Sequence, residues 1–342
     1  MKRFLYILGS LMLLASCSMD NVTEQNPGRE IEFRVVTTKG AVVDMSNFTE
    51  FKLFAFREDG TLYYEDTYVY NGERFISEKK HTWPLDGSNI NFQAYHQFEP
   101  QPSADGGDLV LGGFAVNENI SNQVDLITAR ATGNKNVSGA IALDFYHCLS
   151  QIEVRGKSTN SNYICEVYGL KIANVASTAD FNVKSGEWEL SDDTANYEIE
   201  YETPRVLGVD SITLMSKDDD NLLLIPQQLN PWSPDLDPTN EEGGAFLALK
   251  VRITLKDSGS KVYPVVTTRE SDWIALPIDE TWDAGWKYIY TWDIPKVCGY
   301  VDPYKITDDN VDMILFPPGT PVRGEQISII DPTVADWDNN LQ

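Results

Sequence analysis

The chain has 342 residues, with 52 acidic side chains against 27 basic ones, a net charge of -25, three histidines and four cysteines. That acid excess argues against nucleic acid or anionic lipid as a partner, because both demand a positive footprint. The acids are spread along the whole chain, the pattern of a well-solvated surface, and point to no specific ligand.

Lys2 and Arg3 open the chain, Phe4 to Leu14 is apolar, and small residues follow up to Cys17. The apolar run is too short for a bilayer span, which takes about 20 residues, so residues 1–17 read as an export signal. Leu14-Ala15-Ser16-Cys17 resembles the lipobox of bacterial lipoproteins. The resemblance implies cleavage before Cys17, acylation of Cys17 and a lipid anchor in the outer membrane, each buried CH2 contributing about 0.8 kcal/mol.

Beyond the signal, hydrophobic periodicity is nearly all of period two. Strands are expected over residues 31–38, 50–56, 62–70, 90–96, 141–154, 165–172 and 327–334. Leu247, Leu249, Val251, Ile253 and Leu255 alternate with Lys250, Arg252, Thr254 and Lys256, as a strand with one wet face does. Tyr197, Ile199 and Tyr201 alternate with glutamates, and Tyr288, Tyr290, Trp292 and Ile294 with polar residues, in the same way. Residues 123–130 suggest a short helix. Residues 230–244, with Pro231, Pro234 and Pro238, read as an exposed loop. Strands separated by Gly, Pro, Asn and Asp clusters point to antiparallel sheets, since parallel ones need helical crossovers. The expected fold is all-β, two β-sandwich domains in tandem, with a boundary in the polar stretch 132–139. The domains would then be residues 18–138 and 139–342.

No catalytic, cofactor or metal constellation is readable. His81, His96 and His147 lack the spacing of a metal site and are expected to be core or turn residues. Asp218-Asp219-Asp220 and Asp235-Leu236-Asp237 lack the ordered spacing of a calcium loop and read as solvated turns. Cys148 and Cys165 lie on successive apolar segments, leaving open a disulfide between them or three free thiols with Cys298. Most tryptophans fall in strand patterns and read as core; Trp232, bracketed by prolines in the acidic loop, is the candidate ligand contact.

Several segments in fixed order resemble the fimbrillin family of Bacteroidales, subunits of surface fimbriae. They are Phe51-Lys52-Leu53-Phe54-Ala55-Phe56, Trp83-Pro84, Ile90-Asn91-Phe92-Gln93-Ala94-Tyr95, Asp125-Leu126-Ile127 and His147-Cys148-Leu149-Ser150-Gln151-Ile152. Leu224-Ile225-Pro226-Gln227, Trp282-Asp283-Ala284-Gly285-Trp286 and the closing Val334-Ala335-Asp336-Trp337 follow. The resemblance implies two transthyretin-like (Ig-like) sandwiches and assembly with other fimbrial subunits by β-strand exchange, in which a protease removes the first strand and a neighbour's strand fills the groove. Carried over, the exchanged strand is residues 31–38, with Ile31, Phe33 and Val35 filling the groove. Candidate processing sites are Lys39 just after it, Arg34 within it and Arg29 before it. A cut at Arg29 releases the lipid and leaves the groove filled. Lys39 stands where stalk subunits commonly present arginine, and only five residues, 338–342, follow Trp337; both departures favour an uncut anchor or accessory subunit over a stalk subunit. The rival readings are a stand-alone surface lipoprotein that binds a glycan or host protein, and a hydrolase on a β-sandwich.

Overall fold

The computed structural model describes residues 28–37, 48–215, 222–264, 268–294, 300–301 and 333–336. Its first half runs β1 (Phe33–Thr37), β2 (Glu50–Arg57), β3 (Leu62–Tyr70), β4 (Phe75–Ile76), β5 (Ile90–His96), β6 (Ser103–Asp105), β7 (Asp108–Ala115), β8 (Ile127–Gly133) and β9 (Ile141–His147). The second half begins with β10 (Ser150–Lys157), β11 (Tyr163–Ala176), β12 (Thr178–Asn182), β13 (Glu187–Leu190), β14 (Thr194–Val206), β15 (Ile212–Thr213), β16 (Leu222–Leu224) and β17 (Gln227–Gln228). It ends with β18 (Phe246–Leu255), β19 (Lys261–Tyr263), β20 (Asp272–Pro277), β21 (Thr281–Trp282), β22 (Trp286–Asp293), β23 (Tyr300–Val301) and β24 (Thr333–Asp336). The all-β expectation holds.

Seven strands form one sheet in the order β1-β9-β8-β5-β2-β3-β4. Its neighbours are antiparallel except β1 and β9, which run parallel. One face buries Phe51, Leu53, Phe92, Leu143 and Phe145 around Phe33. The sheet curls until its end strands meet: Glu32, just ahead of β1, lies 3.5 Å from Arg74, just ahead of β4. The opposite face carries Phe54, Phe56 and Tyr95, which pack with Leu109, Leu111 and Phe181 of a four-stranded sheet ordered β13-β12-β7-β6. Gln93 ties the two sheets together, donating to Gly107 O at 2.8 Å and accepting from Leu109 N at 3.0 Å.

In the second half, β15-β10-β22-β24, with β16 also on β10, packs against β14-β11-β18-β20-β23, with β19 on β18. Ile152, Val154, Tyr288, Tyr290 and Trp292 meet Val167, Leu170, Leu249, Val251 and Ile253 in one core. The wet face expected for β18 is only half wet. Lys250 and Arg252 are partly exposed there, but Phe246 and Ala248 lie under Trp232 and Trp273.

The observed strands bear on three expectations and correct two of them. Residues 134–140 connect β8 to β9, which pair as a hairpin, so the stretch 132–139 lies within one sheet, and the chain leaves that sheet after His147. It also returns, because β12 pairs with β7 and brings β13 with it. The first sandwich therefore takes Thr178–Asn182 and Glu187–Leu190 from the second half, and the expected division at 138/139 does not separate the strands. Residues 123–130 form no helix: a 3-10 turn, Ile120–Asn122, precedes them, and Ile127 and Ala129 alternate into the first core as part of β8. The single run 141–154 is two strands, broken at Cys148 and Leu149 as the chain changes sheets.

Candidate functional site

The site built by the fold is a seam along the segment 28–37. Its alternation decides how it lies: Ile31 and Phe33 are buried, Val35 is half-buried, and Glu32 and Arg34 face solvent. Phe33 meets Tyr68 and Phe92 edge-on, each at 5.1 Å. The backbone serves two edges. From Phe33 to Thr37 it pairs with Ile141 to Phe145 of β9, while upstream Ile31 N donates to His81 O at 2.8 Å and Trp83 N donates to Arg29 O at 3.0 Å. One short segment thus joins β9 at one margin of the curled sheet to residues 81–83 at the other, covering backbone groups that would otherwise form open edges. Burial of Ile31 and Phe33 contributes about 3–6 kcal/mol together, at about 1.5–3 kcal/mol for each side chain.

The strap 77–83 is itself held down. His81 Nε2 lies 2.6 Å from Asp66 Oδ2, the imidazole stacks on Tyr64 at 3.7 Å, and Tyr63 donates its hydroxyl to Thr82 O at 2.7 Å. Burial pushes the Asp66 carboxyl up, but hydrogen bonds from Ser77 and His81 outweigh it and hold the group below its usual range. The exposed pairs Lys80–Glu30, on the strap, and Arg74–Glu32, ahead of β4, contribute little, as solvent-screened pairs do.

Of the residues singled out in the sequence, Ile31, Phe33 and Val35 come together in the seam, Arg34 is exposed on β1, and Arg29 lies at the upstream end. Cys17 and Lys39 lie outside the described residues, as do Cys298, Asp218, Asp219, Asp220 and Trp337. The expected strand 327–334 lies mostly outside the described residues; Thr333–Asp336 is an edge strand antiparallel to residues 286–289 of β22.

Trp232 is corrected as an outward ligand contact. Its ring is 3% exposed and packs on Phe246, and Nε1 donates to Asp237 O at 2.7 Å. Gly244 permits this seat, since a Cβ there would come within 2.5 Å of Trp232 N. Among the described residues of this half the outward tryptophan is Trp286, 42% exposed at the start of β22, although alternation puts it on the same side as the core-facing Tyr288 and Tyr290. Asp237 spends its carboxylate on the amides of Glu241 and Glu242, at 3.0 and 2.9 Å. Among the described residues no group of three or more His, Cys, Asp or Glu is arranged to hold a metal ion.

Two histidines lie against carboxylates, and the third, His96, hydrogen-bonds the backbone of Glu50. His147 Nδ1 lies 2.7 Å from Asp125 Oδ2, both groups buried. His96 packs against Phe48 at 4.9 Å, and burial lowers its pKa. Cys148 and Cys165 are free buried thiols, pushed up by burial to about 12 and about 11, and so unreactive at neutral pH. Lys287, expected on a wet face, is nearly buried because Glu153 Oε2 lies 2.7 Å from its ammonium.

A sequence profile described as fimbrillin-like matches residues 34–337 of this chain. No curated protein sequence matches it. Among solved structures, a fimbrial protein from Bacteroides vulgatus superposes with a TM-score of 0.58 at 17% identity, covering 78% of this chain and 96% of that one. A candidate cell adhesion protein from Parabacteroides distasonis gives a TM-score of 0.49 at 10% identity, covering 90% and 94%. Another from Bacteroides uniformis gives 0.41 at 17% identity, covering 79% and 95%. With the profile spanning nearly all of the described fold, the chain belongs to the fimbrillin-like family.

Proposed function

We propose that this chain is a structural or adhesive subunit of a bacterial surface fimbria, lipid-anchored through Cys17, that associates with other subunits by β-strand exchange. The carrying observation is the two-edged pairing of the seam: one terminal segment covers both β9 and residues 81–83. Its departure would leave unpaired backbone on both sides of an apolar slot lined by Tyr68, Phe92 and Ile141, a template for β-augmentation. The two sandwiches, cut at 138/139 in the sequence, are proposed instead as interleaved units. The role is non-catalytic, and the partners are other subunits and, for adhesion, a glycan or host protein. The lysine at position 39, where stalk subunits commonly present arginine, favours an anchor or accessory position over the stalk.

The test is limited trypsin digestion of the lipid-free chain, with the new N-terminus read by mass spectrometry and assembly followed by light scattering. A chain trimmed at Lys39 should bind a synthetic peptide of residues 28–37 and, without it, form denaturant-resistant oligomers. A trimmed chain that stays monomeric and ignores the peptide would defeat strand exchange and leave the stand-alone binding lipoprotein as the better reading.

A further inference from the structure

The two ends of the seam are not held alike. Upstream, the planar guanidinium of Arg29 reaches across to the β8–β9 connection: Nη1 donates to Lys135 O at 3.2 Å and to Val137 O, and Nη2 donates to Gly139 O at 3.1 Å. Alternate carbonyls of that turn point the same way, which is the arrangement a rigid fork of donors can use and a lysine ammonium cannot match. The turn is itself fixed. Val137 N donates to Asn134 O at 3.1 Å, Asn134 Nδ2 donates to Asn89 Oδ1 at 2.7 Å, and Lys135 Nζ donates to Leu85 O. Backbone bonds from Trp83 N to Arg29 O and from Ile31 N to His81 O flank the fork. Gly28 lies so close to the strap that a Cβ there would approach Thr82 Cβ to 3.2 Å. Downstream of Phe33, among the described side chains, Arg34 is exposed and Val35 only half-buried, beside the ladder to β9.

We propose that Arg29 is a clamp that closes the upstream end of the seam, so that the segment opens from its Thr37 end and the Arg29–Glu30 peptide is shielded from Arg-specific proteolysis. The inference rests on the reading of this segment as the groove filler. Leaving from the upstream end breaks the fork and both backbone bonds together, whereas leaving from the downstream end breaks ladder bonds one at a time. An Arg-specific or trypsin-like protease must seat a free guanidinium in its pocket, and here the guanidinium is already engaged. Arg29 is exposed, yet its guanidinium is engaged on three carbonyls and is thus less available to such a pocket than the solvent-facing Arg34.

Hydrogen exchange with residue resolution on the intact chain tests the clamp, using wild type, Arg29→Gln, Arg29→Lys and the exposed control Arg34→Gln. In wild type the Ile31 and Trp83 amides should exchange more slowly than the amides of residues 35–37. Arg29→Gln should speed Ile31 and Trp83 by about tenfold, the loss expected when charge-assisted hydrogen bonds are removed. Arg34→Gln should leave both unchanged, and so should Val251 in β18 in every variant. Under native trypsin the wild type should survive at the Arg29–Glu30 peptide, while Arg29→Lys, still cleavable but without the fork, should be cut at that position. Equal exchange along the wild-type segment, or ready cleavage after Arg29 in wild type, would overturn the clamp. Should Arg29→Gln also accelerate Val251, the variant has unfolded globally and Arg29→Lys decides. Failure of the trimmed chain to bind peptide or assemble would count against groove filling alone, since the clamp is judged by exchange and cleavage in the untrimmed chain.

Discussion

Replacing Phe33 by alanine removes the largest side chain of the seam. The ring is 7% exposed and contacts Tyr68 and Phe92 edge-on. Truncating a packed phenylalanine costs about 3–5 kcal/mol, the transfer and cavity contributions together. β1 is an end strand of its sheet, where neighbours can relax into the space, so the expected cost is the low end, about 3 kcal/mol. At 1.36 kcal/mol per decade, that free energy raises the population of the opened seam roughly 150-fold. Native-state proteolysis tracks that population when reclosing is fast, so cleavage after Arg34, within the paired strand, should accelerate by a similar factor, and the amides of Phe33–Thr37 should lose protection in step. Phe33→Leu, which keeps most of the volume, should fall between. An acceleration under about fivefold for Phe33→Ala, or an equal loss of protection in β18, would refute the argument that this ring holds the seam separately from the rest of the fold.

The carboxyl of Asp66 sits below its usual range in the folded protein because hydrogen bonds from Ser77 and His81 outweigh its burial. A group depressed in this way contributes stability above its unfolded pKa and loses it as pH falls through the folded value. Urea midpoints of the chain should therefore fall below about pH 4 in wild type, and that acid limb should flatten in Asp66→Asn; parallel curves would contradict the assignment. Trp232→Ala should cost about 3 kcal/mol of stability, measured by urea unfolding, because the indole seals Phe246 and ties down the loop through Asp237 O. A glycan array should give the same pattern for that variant as for wild type, and a lost signal at unchanged stability would restore Trp232 as a ligand contact.

The strands 62–70 and 90–96 were legible to the residue, because period-two alternation is a local property that one stretch of chain displays by itself. Partner choice is not local. Nothing near residues 178–190 announces that they pair with β7 some 70 residues upstream, and the glycine-rich look of 132–139 is the same for a hairpin turn as for a linker. The break at Cys148 and Leu149 was hidden for a related reason, since the strands on both sides are apolar and only the change of sheet separates them. Trp232 misled through its surroundings: prolines and acids predict solvent, yet Phe246 and Trp273 on the outer face of β18 and β20 supply an apolar seat that local composition cannot reveal. In the seam, Ile31, Phe33 and Val35 were readable by alternation, but the parallel pairing of β1 and the grip of Arg29 depend on chain more than 100 residues away.

The hairpin of β12 and β13 carries one more implication, for anyone wishing to dissect the molecule. It threads the second half back into the first, so no single cut in the gene separates two self-sufficient pieces. A fragment ending near His147 would leave one side of β7 bare and Leu111 and Phe114 without Phe181 and Ala179 across from them; the remainder would carry a ribbon with no sheet to join. Expressed apart, both halves should be sticky and poorly folded. Pulled on from its ends, the protein should yield as one body rather than as two beads on a string.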